Sequence, residues 1–226
     1  MKNFKNKVAV VTGASSGLGK AVAESLSNLG VKVLALSRNI SNQAFDKNVI
    51  KIPLNIRDLD SIDQAFKSID EETKKIDFLI NCAGRELTKS LEDTDRQDIM
   101  DVFGVNLKGN IYVAQEVYRR MIPKKSGHII NVSSTSGIKG RAMESIYCAS
   151  KWGLRGFTES LRLEAKEHKI KVTSFSPGGM NSNFWGNHPE KDLSSYMNPA
   201  LVAEEIIKIL DTDSSISASE VVIERM

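Results

Sequence analysis

Apolar positions gather in short strand-length runs: Val8–Val11, Val31–Leu36, Val49–Leu54, Phe78–Ile80, His128–Val132, Lys171–Phe175 and Val221–Ile223. Between most of them the apolar residues fall at helical spacing, over Leu18–Asn28, Ser61–Thr73, Gln97–Met121, Ile146–His168 and Pro199–Leu210. Strands that alternate with helices predict β-α-β units and a parallel sheet covered on both faces, an α/β doubly wound fold. The connection from Leu36 to Val49 leaves room for no more than a turn or two of helix. No internal repeat or low-complexity linker interrupts the chain, so residues 1–226 read as a single domain.

The first run leads into Thr12-Gly13-Ala-Ser15-Ser16-Gly17-Leu18-Gly19, and a helical pattern opens at once. Strand, glycine turn and helix start bring free N–H groups and the positive helix end to one point, where a pyrophosphate can sit. Gly13 permits the tight turn, Gly17 a close approach of backbone to phosphate, and Gly19 close packing of helix on strand. The spacing is G-x-x-x-G-x-G, and such turns also occur where nothing binds.

Later runs end on further polar groups. The second ends at Ser37-Arg38, where a dinucleotide fold reaches the adenosine ribose. Arg38 is either an arginine on an exposed turn or a phosphate ligand, and the glycine turn favours the second. Asn55 follows the third run and would lie near the adenine. The fourth ends at Asn81-Cys82-Ala83-Gly84, small residues that leave room for a ligand. Asn106 sits inside a long helical pattern, where asparagine is unfavourable. It either faces water or is buried for a purpose, and Gly104 and Gly109 suggest an irregular helix there. The fifth run delivers Ser134, and thirteen residues on stands Tyr147, with Lys151 four further. At i and i+4 the phenol and the ammonium share one helix face. A nearby ammonium favours the phenolate and is expected to lower the tyrosine's pKa, making it an acid/base near neutrality.

Composition narrows the field. The chain is 41% hydrophobic with a net charge of +3. Its basic residues at Lys2, Lys5, Lys7, Lys124 and Lys125 are expected to be solvated surface, not a nucleic-acid face. Cys82 and Cys148 read as reduced thiols, and Cys148 as a helix-packing residue. His128, His168 and His188 are scattered, so no metal site is expected. Met1–Lys7 is polar and no apolar run approaches a membrane span, so a cytoplasmic location without membrane contact is expected.

Taken in order, Thr12-Gly13-x-x-x-Gly17-x-Gly19, Asn81-x-Ala83-Gly84, Asn106, Ser134, Tyr147-x-x-x-Lys151 and Pro177-Gly178 resemble the short-chain dehydrogenases/reductases over almost the whole chain. The resemblance implies a Rossmann fold, a nicotinamide dinucleotide and hydride transfer between a carbonyl and an alcohol. It implies Tyr147 as general acid, Lys151 as the residue that tunes it and holds the nicotinamide ribose, Ser134 orienting the carbonyl, and Asn106 holding a relay water. It places Gly13, Ser15, Ser16, Gly17, Leu18, Gly19, Ser37, Arg38, Asn55, Ile56, Asn81, Ala83, Gly84, Pro177, Gly178 and Ser182 against the cofactor. Arg38 resembles the basic residue of members that prefer NADPH, and Ser37 there presents a neutral donor, so NADP(H) is expected. Three positions depart from the family pattern: Cys82 replaces its usual second asparagine, Asn55 its usual aspartate, and Ser182 its usual threonine, which keeps the hydroxyl.

The resemblance also implies a homodimer or homotetramer built on the helices Gln97–Met121 and Ile146–His168, and a cover over the site at Gly179–Asn198. Phe184, Trp185, Tyr196 and Met197 in that cover either line an apolar pocket or pack on the domain, and His188 reads as an exposed loop residue. The expected substrate is a small carbonyl or alcohol. Two other readings stand beside this one: a 3-oxoacyl carrier-protein reductase, with Lys124 and Lys125 near its docking face, and an NADPH-binding redox sensor without turnover.

Overall fold

A computed structural model describes residues 4–45, 48–186 and 192–226. The elements follow one another as β1 (Val8–Thr12), α1 (Gly17–Asn28), β2 (Lys32–Ser37), β3 (Val49–Pro53), α2 (Leu59–Glu72), β4 (Phe78–Asn81), α3 (Arg96–Phe103), α4 (Asn110–Met121), β5 (Gly127–Val132), α5 (Ser145–Ala165), β6 (Ile170–Pro177), α6 (Pro199–Leu210) and β7 (Glu220–Ile223). The strands form one sheet in the order β3-β2-β1-β4-β5-β6-β7. Every pairing is parallel. The winding reverses between β1 and β4, and at such a reversal a crevice opens beyond the carboxyl ends of the strands.

Successive strand residues feed opposite faces, as the pleat requires. Ala9, Val11, Val33, Ala35 and Ile80 pack against Val22, Leu26, Val202 and Ile206 of α1 and α6. Val10, Leu34, Leu36, Leu79 and Ile129 pack against residues of α2, α4 and α5, among them Phe66, Val113, Val117 and Leu161. The central strands β1, β2 and β4 are therefore apolar on both faces over most of their length, which is the pattern that marks them in the sequence. The short β2–β3 link holds a single 3-10 turn at Ile40–Asn42.

Two helices differ from expectation. The helix α2 starts at Leu59, two residues ahead of Ser61, because the Asp58 side chain accepts from Asp60 N at 3.0 Å and Ser61 N at 3.4 Å. The helix expected over Gln97–Met121 is three pieces: α3, a π-helical turn at Gly104–Gly109, and α4. Gly109 lets this turn pack directly on the β3–α2 connection, since a Cβ there would lie 2.3 Å from Ile56 O. Among the described residues no helix is long and apolar enough to cross a membrane. No group of three or more His, Cys, Asp or Glu is gathered for a metal among them.

Candidate active site

The carboxyl ends of the strands enclose a cleft of about 950 Å³. Its floor at one end is the glycine turn. Gly13 has φ +67° and Gly17 φ +52°, backbone that only glycine adopts without strain. A Cβ on Gly19 would sit 2.4 Å from Gly13 O, and one on Gly13 would sit 2.9 Å from Ala83 N, so turn, helix and β4 loop are in direct backbone contact. The N-cap Ser16 makes no side-chain cap and the first turn of α1 carries no acid. The first N–H groups and the positive helix end are thus left for an anion. Ser182 stands over this turn, its Oγ 3.5 Å from where a Gly17 Cβ would be.

Of the residues expected to hold a cofactor, all but Asn81 line the cleft. Asn81 is fully buried behind it: Nδ2 donates to Asn131 Oδ1 at 2.9 Å and Asn110 O at 3.2 Å, and Oδ1 accepts from Thr12 Oγ1 at 3.4 Å. It ties β1, β4, β5 and α4 together, and its side chain does not face a ligand. Ser37 needs a second correction. It borders the cleft, but its Oγ is buried and has no partner among the described residues, so the expected donor is turned inward. Arg38 beside it is exposed and makes no ion pair among the described residues. Asn55 lines the cleft and also forms a local turn, its Oδ1 accepting from Arg57 N at 3.3 Å while its N–H goes to Ser61 Oγ at 2.9 Å.

At the other end Ser134, Tyr147 and Lys151 line the same wall. Strand β5 delivers Ser134, and the first turns of α5 deliver Tyr147 and Lys151, both buried. Lys151 Nζ donates to Val132 O at 2.9 Å and lies 5.9 Å from the centre of the Tyr147 ring. Two of its three protons remain for other acceptors. Gly137 lets this wall close, because a Cβ there would meet Ser133 Oγ at 2.6 Å and Lys151 O at 3.0 Å.

The electrostatics depart from the sequence reading. Burial pushes the Tyr147 phenol above its ordinary value; Ser134 acts to lower it, and the Glu144 and Glu86 carboxylates add to the rise. Lys151 is itself lowered to about 8, chiefly by burial. The expectation of a tyrosine lowered by its lysine therefore fails for the protein alone: desolvation is the largest influence on both groups and disfavours the charged form of each. Cys82, in the same buried region, is raised by burial to about 12 and stays a thiol.

Asn106 is fully buried, the second of its two alternatives. Its side chain is spent inside the protein: Oδ1 accepts from Arg85 N at 2.7 Å, and Nδ2 donates to Arg85 O at 2.9 Å and Ser150 Oγ at 3.0 Å. It stands behind Gly84, where a Cβ would lie 3.7 Å from both Asn106 Oδ1 and Lys151 Nζ. Sequence reasoning missed Asn110, which braces the π-turn. It also missed Arg57, Arg85, Glu86, Arg141, Glu144 and Arg225 in the cleft wall. The spacing Asn106-x-x-Gly109-Asn110 was the available signal for the first.

The aromatic residues of the cover do both things expected of them. Phe184 comes to 6.2 Å from the Tyr147 ring, and Phe184, Trp185 and Tyr196 stack edge to face at 5.6 Å. His188 lies outside the described residues. Lys124 and Lys125 precede β5, at the amino end of the strand, opposite the carboxyl ends that form the cleft.

An uncharacterized oxidoreductase of Staphylococcus aureus (strain N315) is 30% identical over 99% of this chain and 99% of its own length. A second, of Staphylococcus saprophyticus, is 31% identical over 99% of each. Among solved structures, 4-hydroxyisoleucine dehydrogenase complexed with NADH superposes with a TM-score of 0.86 at 26% identity, covering 97% of this chain and 98% of that one. An actinorhodin polyketide ketoreductase with NADPH shares the fold at TM-score 0.88 and 24% identity, covering 100% of this chain and 98% of that one. The short chain dehydrogenase model matches residues 7–193, and the chain is a member of that oxidoreductase family.

Proposed function

We propose that this protein is an NADP(H)-dependent oxidoreductase interconverting a small alcohol and its carbonyl. One observation supports the reading above others: a single cleft joins an open helix N-terminus and an unpaired Arg38 at one end to Ser134, Tyr147 and Lys151 at the other. When bound, the nicotinamide supplies or accepts the hydride. The chain does the rest. Tyr147 gives its proton to the carbonyl oxygen in reduction and takes it back in oxidation. Ser134 fixes that oxygen beside the phenol. Lys151, held by Val132 O, turns its other protons to ribose hydroxyls. Because the Asn106 side chain is spent, the second lone pair of its main-chain carbonyl, whose first accepts from Asn110 Nδ2 at 3.1 Å, is what is left to hold a water that returns protons to Lys151.

Arg38 is the support for NADP(H), as a guanidinium free to grip a 2′-phosphate. Solved relatives hold NADH as well as NADP(H), so the choice is this chain's own. The test is a panel of carbonyls and alcohols assayed with both cofactors. NADPH-dependent turnover with kcat/KM at least tenfold above NADH supports the reading, and tight NADPH binding with no turnover across the panel supports the redox sensor instead.

A further inference from the structure

The substrate end of the cleft carries charge that the reaction alone does not require. Arg141 and Glu144 lie on one turn of the β5–α5 connection, where Glu144 N donates to Arg141 O at 3.3 Å. Opposite charges this close on a turn commonly pair. Here they do not: among the described residues neither forms an ion pair. Each is instead held by a buried hydroxyl directly after Ser134. Arg141 Nη2 donates to Thr135 Oγ1 at 3.2 Å, and Ser136 Oγ donates to Glu144 Oε2 at 3.1 Å. Thr135 and Ser136 are both only 4% exposed, so both anchors sit in the packed wall of the cleft. Both charged residues line the cleft. Glu86 lines it too, from the β4–α3 connection, its Oε2 accepting from Thr88 Oγ1 at 3.2 Å. Two carboxylates thus face the reacting phenol, close enough that their fields raise it. Phe184 stands 6.2 Å from the Tyr147 ring and 3.3 Å from where a Gly84 Cβ would be, so the space beside the phenol is short.

Resting on the oxidoreductase reading above, we propose that the substrate is a small zwitterion: a hydroxy amino acid, or its oxo form, whose carboxylate pairs with Arg141 and whose ammonium pairs with Glu144. The carbinol carbon loses a hydride to NADP⁺, and the hydroxyl proton goes to the Tyr147 oxygen as the phenol's own proton passes on to solvent by way of Lys151. The C–H and O–H bonds break, the C=O bond forms, and an amino-oxo acid, NADPH and one proton result. The held-apart charges are the reason for a zwitterion. A simple hydroxy acid would use Arg141 but leave the Glu144 carboxylate without a counter-charge, and an amino alcohol would leave Arg141 unused.

Four matched probes separate these cases: the stereoisomers of threonine, 3-hydroxybutanoate, 1-amino-2-propanol and 2-butanol. They keep both charges, the carboxylate alone, the ammonium alone and neither. Initial rates are measured with the full-length protein and NADP⁺, then NAD⁺. The expected result is a kcat/KM for the best threonine isomer about tenfold or more above each of the other three, since each lost charge-assisted contact is of that order. Arg141→Leu should level threonine with 1-amino-2-propanol, and Glu144→Gln should level it with 3-hydroxybutanoate. Equal or better use of a singly charged or neutral probe overturns the proposal and leaves the oxidoreductase reading standing. So does oxidation of other alcohols with none of the four accepted. If no alcohol or carbonyl turns over with either cofactor, both fall together.

Discussion

Asn110 donates from Nδ2 to the main-chain carbonyl of Asn106 at 3.1 Å, and the same nitrogen reaches Val105 O at 3.0 Å and Ala83 O at 3.1 Å. A π-turn shifts the backbone ladder by one residue and disturbs its carbonyl pairing. One buried amide fills that gap and fastens the β4 loop to the turn that carries Asn106. Asn110→Ala strips the donor from buried carbonyls and should lower stability by about 2–4 kcal/mol. Urea unfolding measures this, and an unchanged midpoint would show that the turn holds without its brace. Turnover should fall more than cofactor affinity, because the displaced residue is Asn106 and not the glycine turn.

Gly19 offers a sharper steric test. A Cβ there would meet Gly13 O at 2.4 Å, Gly13 C at 2.7 Å and Thr12 O at 3.1 Å, all backbone atoms that cannot rotate away. Gly19→Ala must open the turn, at a cost of about 1–3 kcal/mol by the usual scale of overpacking. Dinucleotide affinity, followed by nicotinamide fluorescence, should drop at least tenfold while the protein stays folded. Wild-type affinity in this variant would remove the turn from the binding site.

What could be read from the sequence was what local period controls. The strands are apolar on both faces, so their runs stand out. Tyr147 and Lys151 are four apart on a helix, so their common face follows from geometry. Asn81 shows the limit: an asparagine at a strand end looks the same whether it faces a ligand or, as here, a partner asparagine in the next strand. Ser37 has the same ambiguity, and its rotamer is set by packing. The phenol's raised pKa was missed because a sequence shows the neighbouring lysine but not the desolvation of both groups. Arg141 and Glu144 sit in a loop, where nothing in the local pattern announces that their charges stay apart.

Assembly is testable on α5. Its outward stripe runs Ala149, Trp152, Gly156, Glu159 and Leu163, with Trp152 48% and Leu163 61% exposed. Small residues around an exposed tryptophan suit close packing of a second helix. The homo-oligomer expected from the family should use this face, as closed symmetric assemblies are the common outcome. Light scattering of the wild type at micromolar concentration should report a dimer or tetramer, and Trp152→Glu should shift it to a smaller species. A wild-type monomer would refute the expectation.

The proposed preference for NADP(H) rests on Arg38. Charge-assisted hydrogen bonds to a 2′-phosphate are worth roughly 1.5–3 kcal/mol each, so one arginine suffices for a tenfold to hundredfold preference. Arg38→Ala should raise KM for NADPH by about that factor and leave KM for NADH nearly unchanged. Arg38 is exposed, so added salt should weaken the preference in the wild type. Equal loss with both cofactors would make Arg38 a structural residue.

The titration of the catalytic pair gives the last prediction, and its sign follows from burial. Tyr147 is raised, so the phenol is protonated throughout the neutral range, the form that reduction needs. Lys151 is lowered to about 8, so its ammonium is complete near pH 6 and is lost as pH rises through about 8. For carbonyl reduction, kcat/KM should be level from about pH 6 to 7.5 and decline above about 8, the limb belonging to Lys151 in the free enzyme. Lys151→Arg keeps its charge at every working pH and should abolish that limb in whatever activity survives. Tyr147→Phe removes the transferable proton with little change in volume, and should cost about a thousandfold in turnover while NADPH still binds. A decline above pH 8 that persists in Lys151→Arg would assign the limb to another group, and near-normal turnover in Tyr147→Phe would take the phenol out of the proton transfer.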